Sequence, residues 1–251
     1  MSYRLFSSCI SDKGNFRRKN QDRAVCLIRN SGKKIFAAAC VCDGIGSFEM
    51  SEFAAELVTS GIKKWFRDME GHCDRLASEE ILADLECTIY ELNELVCEYQ
   101  DKNDIAIGCT MSLMLFLGGE YFIFHVGDSR IYSVKDSMDQ LTPDEVVQKN
   151  KEGQIKSYLA NYMGKSRKLW LNKRKGVMQS GEMFLLGTDG VFKLLRFEDI
   201  VERGSKLCSD RRLAAINKKI IKTVRVRGER DNASSVLLYV HQGRQFRKKE
   251  P

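Results

Sequence analysis

Aspartate residues stand at the ends of predicted strands in four separated parts of the chain. Each lies next to an apolar run of strand length: Asp43, Asp128, Asp189 and Asp231. A fifth, Asp22, comes just before the strand predicted over 23–28. A single aspartate in a turn most often caps the backbone. Carboxylates that converge at one edge of a sheet repel each other unless a cation neutralises them. The pattern therefore favours sheets whose strand ends build a cation site.

The ligands available to such a cation are oxygen atoms. The chain has three histidines and no C-x-x-C pair, and His125 lies within a predicted strand, where we interpret it as a packed residue. Zinc is therefore disfavoured, whereas hard oxygen ligands suit Mg²⁺ or Mn²⁺. Two such ions bridged by a carboxylate would lower the pKa of a shared water molecule and produce hydroxide at neutral pH.

The hydrophobic pattern predicts sheets covered by helices. Apolar residues recur with a helical period over 50–67 and 79–100, and a third helix is predicted over 210–224. Strands are predicted before, between and after these helices in the sequence, over 23–28, 35–42, 111–117, 121–126, 182–188 and 234–240. The order lacks the regular alternation of a Rossmann fold. We expect a single domain over residues 1–242 and a basic tail at 243–251.

The composition is typical of an intracellular protein with a sizeable core. Hydrophobic residues make up 43% of the chain, and the longest apolar runs are far shorter than the ~20 residues of a membrane span. The amino terminus lacks the apolar stretch of a secretory signal. The nine cysteines are an odd number, and several lie in apolar runs, which is typical of reduced thiols. We expect a cytoplasmic location and no membrane partner.

The net charge is +7, but acidic and basic residues are distributed unevenly along the chain. Residues 49–104 carry 15 acidic and 5 basic residues, whereas 145–230 carry 21 basic and 9 acidic residues. The basic block lacks the interleaved aromatic residues of a nucleic-acid-binding surface and matches no motif of that class. We therefore expect no nucleic-acid partner.

Five short segments of the chain combine aspartate with glycine, asparagine or serine: 11–22 (SDKGNFRRKNQD), 41–46 (VCDGIG), 127–130 (GDSR), 185–191 (LLGTDGV) and 231–234 (DNAS). In this order they resemble the motifs of the metal-dependent protein phosphatases of the type 2C family in their bacterial form. One of these segments alone would be weak evidence. Five of them in family order, over nearly the whole chain, make the resemblance specific.

The resemblance implies an α+β fold, a four-layer α/β/β/α sandwich with two central antiparallel sheets flanked by helices. It also implies hydrolysis of phosphoserine and phosphothreonine by direct attack of a water molecule that bridges two metal ions, Mn²⁺ or Mg²⁺. By that resemblance Asp43 would bridge both ions, with the Gly44 carbonyl on one of them. Asp189 and Asp231 would hold the other ion.

The resemblance also implies roles for four further motif residues. Asp22 would act through ordered waters, and Asp128 would help to bind a weaker third ion. Arg17 would bind the substrate phosphate, a task that suits a guanidinium fork. Asn232 would support the ligating carboxylates, which need orienting.

The sequence departs from the family pattern at three places. Ser47 stands where most relatives have a further glycine, so the turn after Asp43 is expected to be altered. Ile45 occupies the position of a histidine proposed as the general acid in the animal enzymes, so protonation of the leaving group would come from metal-bound water. The flap region, about 142–176, shows only a faint trace of the family pattern.

Several alternatives stay open beside an active phosphatase. One is a regulatory phosphatase dedicated to one partner, such as an anti-sigma-factor antagonist, and another is a catalytically dead relative that binds phosphoproteins. The expected partners are phosphorylated proteins, substrates of a Ser/Thr kinase, and the expected state is a monomer. The nine basic residues within 147–176 are either solvated surface or a patch that steers anionic phosphoproteins to the site.

Overall fold

Two five-stranded antiparallel sheets form the centre of the protein. The computed structural model describes residues 2–29, 34–48, 50–151, 154–200 and 209–243. One sheet, the β1 sheet, has the order β1 (Ser2–Asp12), β12 (Ala233–Gly243), β11 (Met183–Gly187), β6 (Arg130–Val134), β7 (Met138–Gln140). The other, the β3 sheet, has the order β10 (Asn172–Val177), β5 (Glu120–Val126), β4 (Met111–Leu117), β3 (Phe36–Asp43), β2 (Asp22–Ile28).

Helices cover the outer face of each sheet. The helices α1 (Ser51–Glu70) and α2 (Ser78–Asn103) pack on the β3 sheet. On the β1 sheet lie the short α3 (Asp189–Phe192) and the longer α4 (Asp210–Val226). The layers therefore run helix, sheet, sheet, helix, which confirms the predicted four-layer sandwich.

The apolar run in β3 follows from burial on both sheet faces. Successive side chains of a strand point to opposite faces. Phe36, Ala38 and Cys40 therefore join the core under α1 and α2, while Ala37 and Ala39 join the core between the sheets. A strand that is half exposed would alternate with polar residues, whereas β3 is apolar from Phe36 to Cys42 because neither face meets water.

The flap region holds three strands that the sequence pattern did not predict. A two-stranded hairpin consists of β8 (Val146–Lys151) and β9 (Gln154–Leu159), and β10 then joins the edge of the β3 sheet. The side chains of β9 from Gln154 to Tyr158 are all exposed. Because neither face of the hairpin is buried, its sequence carries no alternation of apolar and polar residues.

Three sequence expectations concern regions or properties outside the sheets. None of the helices in the described ranges is long and apolar enough to cross a membrane. Eight of the nine cysteines are described, and all eight are free thiols, five of them buried. The basic tail predicted at 243–251 lies, beyond residue 243 itself, outside the described residues.

Candidate active site

Four of the aspartates found at predicted strand ends line one pocket. Asp43 ends β3, Asp128 follows β5, Asp189 follows β11 and Asp231 precedes β12. The pocket has a volume of about 140 Å³, and its lining also includes Arg17, Gly44 and Asn232. The two sheets thus bring motifs from opposite ends of the chain to one edge, as the sequence pattern predicted.

The backbone around Asp43 is held by hydrogen bonds from β4 and its neighbours. The amide of Asp43 donates to the Thr110 hydroxyl (2.9 Å), and the Thr110 amide donates to the Asp43 carbonyl (2.9 Å). A Cβ on Gly44 would lie 2.7 Å from the Ser51 carbonyl oxygen, so this position requires glycine. Ser47, the departure from the family pattern, is exposed in the turn that follows.

Asp22 lies beneath the pocket rather than in its lining. Its Cα is paired with that of Asp43 across β2 and β3, and its side chain is 1% exposed. The carboxylate accepts a hydrogen bond from the Thr188 hydroxyl (2.8 Å). Thr188 precedes Asp189 and directly follows β11 of the other sheet. Asp22 is therefore a buried link between the two sheets.

Asp189 and Asp231 are brought together by a close approach of two backbone segments. A Cβ on Gly190 would collide with the Asn232 carbonyl oxygen, so only glycine lets α3 approach the segment before β12. The side chain of Asn232 accepts from the Gln21 amide (2.9 Å) and donates to the Lys13 carbonyl (2.8 Å). Asn232 thereby fixes the loop that carries Arg17. The hydrogen bonds of its side chain within the described residues go to backbone atoms.

Two basic side chains neutralise the carboxylates of this pocket. Arg17 donates two hydrogen bonds to Asp231, at 2.9 Å from Nε and 2.7 Å from a terminal nitrogen. The ammonium group of Lys193 lies 2.5 Å from Asp189 Oδ2 and 3.8 Å from Asp231 Oδ2. Arg17, predicted to bind substrate phosphate, is thus engaged with a predicted metal ligand.

Burial raises the pKa values of three of the aspartates in and around this pocket. Burial, followed by repulsion from the neighbouring aspartates, raises the pKa of Asp43 well above its usual range. Burial likewise raises the pKa of Asp22 to about 7 and that of Asp128 to about 6. Burial also acts to raise the pKa of Asp231, but the hydrogen bonds and charge of Arg17 outweigh it, and this pKa is lowered.

The pocket fits a divalent cation on the chemistry of its donors. Asp189 Oδ1 is buried and has no hydrogen-bond partner, and a buried acceptor is normally paired. The lining carboxylates are the hard oxygen ligands that Mg²⁺ and Mn²⁺ prefer. No three His, Cys, Asp or Glu side chains within the described ranges form a ready-made metal cage. Two of the carboxylates are instead held by Arg17 and Lys193.

Glu145 connects the flap region to the segment that carries Asp128. Its carboxylate accepts hydrogen bonds from the Gly127 amide (2.8 Å) and from the side-chain amides of Asn161 (2.9 Å) and Asn172 (2.5 Å). Leu159, at the end of β9, is itself part of the pocket lining. The base of the flap and the pocket therefore share one hydrogen-bonded framework.

The basic residues of the flap region are partly neutralised by the acidic helix α2. Lys173 pairs with Glu86 (2.8 Å), and Arg167 pairs with Asp101 (2.6 Å) and with Glu94. The acidic block and the basic block of the sequence thus face each other along part of their length. Lys149, on the hairpin, is exposed.

Sequence reasoning missed three residues that shape the pocket: Thr110, Glu145 and Lys193. Lys193 follows Asp189 by four positions at a helix start, a spacing that places both on one helix face and was available in the sequence. Thr110 and Glu145 act through neighbours in other strands, for which the sequence holds no local signal. His125 is a buried strand residue bonded to Ser112, which confirms its interpretation as a packed residue.

Solved structures of bacterial serine/threonine phosphatases have this fold. The catalytic domain of the phosphatase PstP, in complex with two manganese ions, matches with a TM-score of 0.75 and 20% identity over 96% of this chain and 100% of that chain. Stp1 from Staphylococcus aureus matches with a TM-score of 0.77 and 19% identity over 96% of each chain. The chain therefore has the fold of these solved phosphatases.

Sequence comparison assigns the family. The sequence model of the protein phosphatase 2C family matches residues 17–225. The phosphatase PhpP of Streptococcus pneumoniae is 22% identical over 248 residues, which cover 94% of this chain and 97% of that protein. The chain belongs to the protein phosphatase 2C family, whose members hydrolyse phosphoserine and phosphothreonine.

Proposed function

We propose that this chain hydrolyses phosphoserine and phosphothreonine in proteins with Mn²⁺ or Mg²⁺ as cofactor, by direct attack of water on phosphorus. The observation that carries the proposal is the convergence of four aspartates on one pocket. The buried, unpartnered Oδ1 of Asp189 supports it, because that oxygen is suited to a cation. The manganese ions of the related PstP domain support the choice of metal.

The roles proposed for the carboxylates are those that the family resemblance implies, and their convergence on one pocket supports them. Asp43, with the Gly44 carbonyl beside it, would bridge two ions, and Asp189 and Asp231 would hold one of them. Asp128, which also lines the pocket, would hold a weaker third ion. Two such ions, when bound, lower the pKa of a water molecule between them and neutralise phosphate charge. Asp22 would support Asp43 from below, through water.

Arg17 would change partners during this reaction. Its guanidinium group forms two hydrogen bonds with Asp231, and its side chain lines the pocket and is 44% exposed. Once Asp231 no longer needs its charge, the guanidinium group of Arg17 would be free to bind two oxygens of the substrate phosphate. Asn232 would keep the Arg17 loop at the correct distance, because it fixes the backbone at Lys13 and Gln21.

The organisation and partners of the enzyme belong to the same proposal. We infer one catalytic domain over residues 1–242 that acts as a monomer on phosphoproteins produced by a Ser/Thr kinase. Retention of Asp43, Asp189 and Asp231 favours an active enzyme over a relative that only binds phosphoproteins. The match to the protein phosphatase PhpP, over 94% of this chain and 97% of that protein, supports phosphoprotein hydrolysis as the activity.

The test is phosphate release from a phosphothreonyl peptide by protein stripped with EDTA. Activity should return with Mn²⁺ or Mg²⁺, and Asp189→Asn should lower kcat by several orders of magnitude because its oxygens no longer neutralise the cation fully. Asp139→Asn, on the exposed edge strand β7, is the matched control and should keep wild-type turnover.

Two outcomes would contradict the proposal. Folded protein that stays inactive with both metals on several phosphopeptides would favour the phosphoprotein-binding alternative. Wild-type turnover of Asp189→Asn would show that the reaction takes place elsewhere.

A further inference from the structure

Lys193 occupies an unusual place for a lysine, inside a cluster of acidic groups. It ends the first turn after Asp189, and its amide donates to the Asp189 carbonyl (3.1 Å). Its side chain then returns along the helix, so that its ammonium group contacts Asp189 (2.5 Å) and approaches Asp231 (3.8 Å) from another segment. One cation thus lies between two of the carboxylates that line the pocket.

This contact differs from an ordinary helical ion pair of the same spacing. Lys64 and Asp68 on α1 form such a pair at 3.4 Å, with side chains 82% and 68% exposed. The side chains of Lys193 and Asp189 are 48% and 28% exposed, and a second carboxylate completes the contact. Reduced exposure to water strengthens the interaction of charges.

The position of Lys193 determines which oxygen of Asp189 remains available. Its ammonium group covers Oδ2, while Oδ1 is buried and has no partner. A divalent ion held by Asp189 Oδ1 and by Asp231 would lie beside the ammonium group, which contacts the other oxygen of Asp189 and approaches Asp231. Two cations that share these ligands repel each other, so binding of one disfavours binding of the other.

We propose that Lys193 is a built-in competitor of the metal ion, which holds Asp189 and Asp231 in the metal-free protein and raises the metal concentration needed to load the site. This inference rests on the metal site of the proposed function. It assigns Lys193 as a positioning residue that acts through the carboxylates. When a metal ion binds, the half-exposed side chain rotates outward to solvent.

The test is the dissociation constant for Mn²⁺, measured by isothermal titration calorimetry on metal-stripped protein and checked by electron paramagnetic resonance of free Mn²⁺. Lys193→Gln removes the charge at similar length and should bind Mn²⁺ at least about tenfold more tightly. Lys193→Arg keeps the charge and should stay near the wild type. Lys64→Gln removes a lysine with the same spacing to aspartate and should also leave the constant unchanged.

Each outcome separates this inference from the proposed function. If the dissociation constants of wild type and Lys193→Gln for Mn²⁺ agree within about twofold, the contact of Lys193 with Asp189 is an ordinary surface ion pair and the inference is wrong. Lys193→Ala repeats the test if the glutamine variant does not fold. If none of these proteins binds Mn²⁺, the proposed metal site fails and this inference fails with it.

Discussion

Glu145→Ala should loosen the flap region while leaving the central sheets folded. The substitution removes three hydrogen bonds from one carboxylate, those from the Gly127 amide and from the side chains of Asn161 and Asn172. Hydrogen bonds to a charged group contribute about 1.5–3 kcal/mol each. The two asparagines are half-buried, so water replaces part of the loss. We therefore expect a net loss of about 3 kcal/mol, or about a hundredfold in the opening equilibrium.

Hydrogen–deuterium exchange followed by mass spectrometry measures this opening directly. Protection should fall by about that factor in the peptides that contain Ala160, whose amide donates to the Glu145 carbonyl (2.7 Å), and Met163, whose amide donates to Cys109 (2.9 Å). Peptides from β4, which is buried along its whole length, should keep their protection.

The matched control is Glu120→Ala, an exposed glutamate at the start of β5. This control also removes a glutamate side chain, on a strand that pairs with β10. It should leave hydrogen–deuterium exchange in the flap region unchanged. If Glu145→Ala also left flap exchange unchanged, the carboxylate would not hold the flap, and the reasoning from its three hydrogen bonds would be refuted.

Three further predictions concern the pocket and the flap hairpin. Arg17→Ala should raise KM for a phosphothreonyl peptide about tenfold or more in steady-state assays, because the phosphate loses a bidentate charged partner; an unchanged KM would contradict this. Asp22 and Asp128 have folded pKa values of about 7 and about 6, above an unfolded value near ~3.9. The stability they provide is therefore complete below about pH 4 and is lost as the pH rises through 6 to 7. In thermal unfolding, Mn²⁺ should raise Tm more at pH 8 than at pH 5.5, and equal shifts would contradict the account. Lys149 and Lys156 form a cross-strand pair on the hairpin. Replacing both by glutamine should make kcat/KM for an acidic phosphoprotein less dependent on NaCl concentration, and should leave kcat/KM for p-nitrophenyl phosphate unchanged. Equal NaCl dependence of kcat/KM for the phosphoprotein in the wild type and the double variant would contradict a steering role for the hairpin.

The layered core could be predicted from sequence because its elements are buried in regular ways. The run 35–42 is apolar since both faces of β3 are covered, and the periods over 50–67 and 79–100 reflect single buried faces of α1 and α2. The ends of these helices differ from the prediction by one to three residues, because helix ends depend on local capping. The flap hairpin buries neither face, so no periodicity marks it.

The aspartates that line the candidate site could be predicted from the sequence, but the contacts that they and their neighbours make could not. The strand-end aspartates were visible in sequence, because turn residues next to apolar runs can be read locally. The pairing of Arg17 with Asp231 joins positions 214 residues apart, and no local pattern reports such a contact. The role of Glu145 depends in the same way on three partners in separate segments.

The most direct test of the account is the anomalous diffraction of crystals grown with MnCl₂. We predict manganese peaks in the pocket between Asp43, Asp189 and Asp231, with Arg17 and Lys193 moved away from these carboxylates. Peaks absent from the pocket at millimolar Mn²⁺, with both basic side chains still paired to Asp231 and Asp189, would contradict the account.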